Sequence, residues 1–359
     1  MQGSISGTPM KTVVYNSPFV PPEWIAAHGL RPLRMRPRAA SAAAAPALAG
    51  MCPLARAMLG EVISGGGDAA VFATTCDQMR RIAGLAAAGA APVFLMNVPA
   101  TWQTPAAARL YRDELRRLGR WLVEQGGAAP SREDLVCTLA DWDGRRRRLR
   151  AALGTAAPAV AARLLDAYHR GEDVPDAGPA TYSGWRVSRP ATFVGATLVA
   201  TGQEALRAEH DSPPRVPLAL VGGPLMAGEG VFETIDAAGG TVVLDATETG
   251  TRTLPPPLDA RLLRDDPLME LVDAYFGGIP DAFRRPDDAL HAYLARELAA
   301  SGARGIVIWR YVWCDHWAAA VARLRDETNL PVLDLDLAGD DADASRLAGR
   351  LQAFMELFA

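Results

Sequence analysis

The dipeptide Cys-Asp occurs twice, as Cys76-Asp77 and as Cys314-Asp315. Each follows a strand-like run and precedes a helix-like one. The first run is Ala69-Ala70-Val71-Phe72-Ala73-Thr74-Thr75, and the second is Gly305-Ile306-Val307-Ile308-Trp309-Arg310-Tyr311-Val312-Trp313. A third cysteine, Cys52, directly precedes Pro53. Proline suits the first turn of a helix, so Cys52 also falls at an N-cap. A thiol there meets the positive end of the helix dipole, which lowers its pKa and favours the thiolate that binds metals. The fourth cysteine lies inside Leu135-Val136-Cys137-Thr138-Leu139-Ala140 and reads as a small apolar residue buried in mid-helix. Three thiolates with no nearby histidine cluster do not suit structural zinc, which closes on four ligands. They suit a [4Fe–4S] cluster with one iron not held by cysteine. The plainer alternative is three buried cysteines without a ligand, and the repeated context weighs against it. Asp77 and Asp315 would stand in the first helical turn, where a carboxylate complements the dipole.

The elements that must position these thiols alternate. Strand-like runs at 12–15, 69–74 and 92–97 are separated by helical patterns at 22–28, 53–64 and 77–88, which argues for a parallel sheet covered by helices. From 105 to about 210 no strand is convincing. One amphipathic helix spans 106–125, and a second starts near Ser131 and runs through the basic stretch 145–150. Further helix is expected at 159–170 and 191–210, with a loop over 171–189. The run Arg145-Arg146-Arg147-Arg148 reads as a solvated helix face rather than an anion site. After Asp211-Ser212-Pro213-Pro214 the alternation resumes, with strands at 216–221, 241–245, 305–310 and 331–335 and a closing helix at 345–358. The fold class is therefore α/β: a domain over 1–104 carrying Cys52 and Cys76, a helical region over 105–211, and a domain over 212–359 carrying Cys314.

The chain has 359 residues, of which 49% are hydrophobic and 22% charged, as in ordinary globular proteins. A net charge of −4 lacks the basic footprint of a nucleic-acid binder. No apolar run reaches the ~18 residues of a membrane span. Residues 1–10 lack a basic stretch followed by an apolar core, so no secretory signal is expected. Four scattered cysteines do not suggest a disulfide framework, and a reducing cytoplasm is the expected location.

Several segments resemble the 2-hydroxyacyl-CoA dehydratase/benzoyl-CoA reductase family over nearly the whole chain. They begin with Tyr15-Asn16-Ser17-Pro18-Phe19-Val20-Pro21-Pro22-Glu23-Trp24, then Cys52-Pro53-Leu54-Ala55-Arg56 and Thr75-Cys76-Asp77. Val98-Pro99, Tyr111, Glu114-Leu115, Gly222-Gly223-Pro224-Leu225, Ile235-Asp236-Ala237-Ala238-Gly239-Gly240, Gly250-Thr251-Arg252 and Trp313-Cys314-Asp315 follow in order. Near the C-terminus the family has a Thr-Arg-Ile/Leu-Glu run where Gly349-Arg350-Leu351-Gln352 stands here.

The resemblance implies two Rossmann-like parallel-sheet domains with a helical insert between them. It also implies a [4Fe–4S] cluster held by Cys52, Cys76 and Cys314, and a CoA thioester substrate. In that family a separate ATP-dependent activator iron–sulfur protein supplies a low-potential electron. The electron passes to the thioester as a ketyl radical, with loss of water in the dehydratases and ring reduction in the benzoyl-CoA reductases. The chain resembles the smaller subunit, which implies a larger homologous subunit in a heterodimer, or a homodimer. The expected activity is that of a hydro-lyase, with an aryl-CoA reductase as the oxidoreductase alternative. A non-catalytic iron–sulfur electron-transfer or assembly protein of the same fold is a further reading, and a cluster-free α/β binding protein another.

Some residues carry readings of their own. Ser17 follows the first strand, where α/β folds place ligands, and would donate to a substrate or a departing hydroxyl; the alternative is a turn residue before Pro18. Arg56 would contact CoA phosphates, contact a partner subunit, or form a surface ion pair. Gly222-Gly223-Pro224 lacks a dinucleotide fingerprint and reads as a tight strand–helix turn. Trp309, Tyr311, Trp313 and Trp317 would shield the site around Cys314 or pack against a partner, with ordinary core packing the alternative for some of them. No Walker-type motif is present, so ATP use belongs to another protein.

Overall fold

The computed structural model describes residues 10–38, 48, 50–156, 158–172, 215–228, 230–339 and 343–359. The helix read over 191–210 and most of the loop over 171–189 lie outside these residues.

Two four-stranded sheets form the frame, and every pairing is parallel. The first holds β1 (Thr12–Tyr15), β2 (Arg31–Arg34), β3 (Ala69–Ala73) and β4 (Val93–Met96), in spatial order β2-β1-β3-β4. The second holds β5 (Val216–Gly222), β6 (Gly240–Ala246), β7 (Gly305–Tyr311) and β8 (Val332–Leu337), in order β6-β5-β7-β8. The two orders are the same winding. Cys76 follows the third strand of one sheet and Cys314 the third strand of the other, so the repeated Cys-Asp occupies equivalent places.

Sequence alternation located seven of these strands. β2 was not anticipated. It is short, has arginine at both ends and contains Pro32, all features of an edge strand. Pairing with β1, in register Thr12↔Arg31 to Tyr15↔Arg34, makes it a strand. At the opposite extreme, all five residues of β3 are buried, as expected for a central parallel strand covered on both faces.

In the first half the helices are α1 (Pro22–Ala27), α2 (Pro53–Ile63), α3 (Asp77–Ala86), α4 (Pro105–Glu124), α5 (Arg132–Leu153) and α6 (Pro158–His169). In the second half they are α7 (Val231–Ala237), α8 (Ala260–Asp265), α9 (Pro267–Leu271), α10 (Asp288–Ser301), α11 (Asp315–Glu327) and α12 (Asp343–Met355). A π-helical turn, Val272–Gly277, extends α9. Among the described residues no helix is long and apolar enough to cross a membrane.

The two halves share their cores. One apolar cluster joins Val14, Met58 and Phe72 of the first sheet and its α2 to Leu220, Val307 and Trp309 of the second. Another packs Val13, Val71, Tyr111 and Leu115 against Leu271, Tyr275, Phe276 and Phe283 from the second half of the chain. The sheets are therefore held at a fixed mutual position by apolar burial.

α5 departs from two expectations. Arg146 is not solvated; it is fully buried, and its guanidinium donates to Glu23 Oε1 at 2.8 Å. The Tyr275 hydroxyl donates to the other oxygen, Glu23 Oε2, at 2.6 Å. A four-residue run on a helix covers a whole turn, so one member must face inward, and here Glu23 on α1 meets it. Arg147 stays exposed and pairs with Asp143. Cys137 is exposed, not buried. The inward stripe of α5 runs through Leu135, Leu139, Trp142, Arg146 and Leu149, and Cys137 is off it.

Arg146→Met leaves the Glu23 carboxylate buried without its cation, which destabilises folded proteins by about 3–5 kcal/mol. Urea denaturation should show a loss of that order. The double variant Glu23→Leu/Arg146→Met should recover much of it, because no buried charge is then left unpaired.

Candidate metal centre

The carboxyl ends of both sheets open onto one cavity of about 220 Å³. It lies where the chain leaves β1 and β3 in one sheet and β5 and β7 in the other. These are the points at which strand order reverses, and doubly wound folds place ligands there. Cys52, Cys76 and Cys314 all line this cavity.

Each of the three is the N-cap of its helix: Cys52 on α2, Cys76 on α3 and Cys314 on α11. The Cys52 sulfur accepts from the Ala55 amide at 3.3 Å, which satisfies one of the free N–H groups at the helix start. The Cys52 amide donates to Gln78 Oε1 at 3.3 Å and ties α2 to α3.

The free thiols do not show the expected drop in pKa. Burial pushes Cys52 up to about 11 and Cys314 up to about 12, and it raises Cys76 as well. Amide groups at Ala55, at Gln78 and Met79, and at Trp317 pull the other way but are outweighed. The thiols also raise one another, because each would be charged close to the others. Desolvation thus outweighs the helix dipole.

Ser17 reaches the same cavity and is buried. Its Oγ accepts from the Phe19 amide at 3.3 Å, the bond of a turn residue, and its own proton is not used there. Asp77 is exposed and lies 3.8 Å from Arg80. Asp315 is also exposed, and neither aspartate makes a capping bond. Arg56 has no ion-pair partner among the described residues; it donates to the Ala338 carbonyl at 3.3 Å, joining α2 to the end of β8. Tyr311, Trp313 and Trp317 line the cavity, whereas Trp309 lies in the shared core.

Gly222-Gly223-Pro224 does not turn directly into a helix, since α7 starts only at Val231. Gly222 has φ +148°, and a Cβ there would stand 2.0 Å from the Trp309 carbonyl oxygen. Only glycine permits β5 and β7 to approach so closely at the cavity floor.

Sequence reasoning passed over the charged groups of the site. Arg252 donates to the carbonyls of Ala246 (3.0 Å), Pro280 (2.6 Å) and Gly222 (3.2 Å) and to Asp281 Oδ2 (2.8 Å). Glu248 and Asp281 both line the cavity. Arg310 also lines it and holds Asp334 through two bonds of 2.7 and 2.9 Å. The Thr-Arg step Thr251-Arg252 carried the family resemblance, but nothing in its spacing tells which oxygens it meets.

Among the described residues no three His, Cys, Asp or Glu side chains are gathered as a single metal ion would need. An iron–sulfur cluster is wider than one ion and takes its thiolates from further apart. The donor set fits it: three sulfurs from three separate helix starts, with apolar walls from Phe19, Leu54, Met58, Met79 and Phe283.

In the metal-free protein, exposed Cys137 should react first with iodoacetamide at pH 8. Cys52 and Cys314 should resist until the pH nears 11 or the protein unfolds. Mass spectrometry of tryptic peptides over a pH series reads the order, and prompt labelling of Cys52 at pH 8 would contradict this burial.

The family described as HGD-D, 2-hydroxyglutaryl-CoA dehydratase, D-component, matches residues 18–358 of the chain. No curated protein matches it.

Proposed function

Because the chain belongs to the 2-hydroxyglutaryl-CoA dehydratase D-component family, we propose that it is the iron–sulfur subunit of a 2-hydroxyacyl-CoA dehydratase-type enzyme. Cys52, Cys76 and Cys314 would hold a [4Fe–4S] cluster. The observation that carries this reading is the convergence of three N-cap thiols, from both sheets, on one cavity. When bound, such a cluster supplies a single low-potential electron for reduction of a CoA thioester.

The chain's own residues prepare that site. Burial keeps the thiols protonated until metal replaces the protons, so loading releases protons and is favoured by rising pH. The amide of Ala55, bonded to Cys52, would stabilise negative charge on that sulfur. Phe19, Leu54, Met58, Met79 and Phe283 keep water from it.

The cavity is smaller than the ~300–1,000 Å³ of most small-molecule sites. Thiol-bound metal would occupy part of it, which favours electron relay in this subunit and reaction of the acyl group on a larger homologous subunit. ATP hydrolysis falls to a separate activator. The family described by the matching profile favours dehydration over ring reduction.

Anaerobic purification should give a brown protein with equal iron and sulfide. Replacing Cys52, Cys76 or Cys314 by alanine should each abolish both, while Cys137→Ala should leave them unchanged. Colourless wild-type protein under those conditions would sink the cluster. Co-purification with a larger homologue, and acyl-CoA turnover once an activator is added, separate an enzyme subunit from a stand-alone electron carrier.

A further inference from the structure

One carboxyl group in the cavity has no part in the reading above. Glu248 follows β6 and lines the same space as the three thiols. Its backbone is fixed at both ends. Its amide donates to the Gly223 carbonyl at 3.2 Å, and its carbonyl accepts from Thr253 Oγ1 at 2.7 Å and from Arg34 Nη2 at 3.2 Å. The side chain accepts from Arg34 Nη2 at 2.9 Å through Oε1. Oε2 has no hydrogen-bond donor among the described residues. The carboxylate is near enough to Cys76 to raise its pKa.

Several of the other oxygen donors around the cavity are committed, and Ser17, Thr75 and Tyr311 offer it neutral hydroxyls rather than an anion. Asp281 Oδ1 accepts from the Phe283 amide and Oδ2 from Arg252. Asn16 Oδ1 accepts from the Ala73 amide, and Gln78 Oε1 from the Cys52 amide. His316 is half-buried, with Nδ1 against Arg285 at 3.1 Å.

We infer that Glu248 closes the cluster, its Oε2 serving as the fourth protein ligand, on the iron that the three cysteines leave free. This rests on the cluster proposed above and adds to it. Arg34, gripping Oε1, orients the carboxylate as outer-shell partners of metal ligands do. An iron so closed has no position for a thioester, which agrees with the small cavity and with electron relay. An anionic oxygen also adds negative charge, and net charge sets cluster potentials. The ligand therefore makes reduction harder, as a low-potential carrier requires.

The test uses Glu248→Gln, which retains an acceptor for Arg34 and removes the anion, with Glu248→Cys and His316→Ala beside it. Each protein is reconstituted anaerobically with Mössbauer-active iron, titrated electrochemically under EPR, and exposed to cyanide. Wild type and His316→Ala should show one distinct iron that does not take up cyanide. Glu248→Gln should show altered parameters at that iron, cyanide binding and a less negative midpoint potential. Glu248→Cys should remain closed to cyanide; it keeps the inference testable if the glutamine variant fails to fold. Cyanide binding to wild type as readily as to Glu248→Gln, with the same spectra and potential, would overturn the inference and leave the cluster standing. Absence of iron and sulfide from wild type would overturn both.

Discussion

Arg252 is buried to 1% exposure and meets four oxygens from three stretches of chain. A guanidinium removed from water must have its donors matched, or the fold loses several kcal/mol. This requirement fixes the ends of β5 and β6 and the segment at Pro280 and Asp281 with respect to one another. Those are the pieces that carry Gly223, Glu248 and Asp281 to the cavity. The Arg252 guanidinium also lies over the Trp317 ring, 5.2 Å from its centre, which links it to α11 and so to the helix that Cys314 caps. The floor of the site is therefore set by a buried cation, and the thiols are placed around it.

Placement of the thiols follows from a different constraint. In a parallel sheet each strand must return through a helix, and every helix then begins near the carboxyl edge. Two such sheets with their carboxyl edges turned to one cavity bring several helix starts together without any special loop. A cysteine at those starts is held on a rigid element, with amide groups directed at its sulfur. Burial simultaneously opposes ionisation of the free thiol. The same surroundings that keep the free thiols neutral would give a metal-bound thiolate few competing water molecules.

What was legible in the sequence was mostly local. Cys52, Cys76 and Cys314 could be read as N-caps because strand run, cap and helix pattern are adjacent along the chain. The edge strand β2 was not legible, since its four residues have no strand character without β1 beside them. Arg146 and Cys137 were misread although the signal was present. The stripe Leu135, Leu139, Trp142, Leu149 has helical spacing; continued, it puts residue 146 inward and 137 outward. Glu248 was not accessible by any such rule. Its position depends on Arg34 and Cys76, more than 170 residues away in sequence, and only the closed fold brings the three together.

The turn into α11 shows what the chain gives up to deliver Cys314. Trp313 has φ +70°, a conformation that residues other than glycine adopt only under constraint. The constraint is visible. The Val312 amide is bound to the Leu337 carbonyl at 2.9 Å, and the Cys314 amide to the Tyr311 carbonyl at 3.2 Å. Tyr311 is itself anchored, its hydroxyl accepting from the Met226 amide at 3.1 Å. The strand therefore cannot slide, and the cap cannot move without losing its helix. The one residue between them takes the left-handed conformation, and its indole is left 64% exposed at the edge of the cavity. In Cys76 the same task is met with an extended cap at φ −157° and no left-handed residue before it. The two Cys-Asp junctions are thus equivalent in topology and different in mechanics, and the strained one is the junction that bears an exposed aromatic ring.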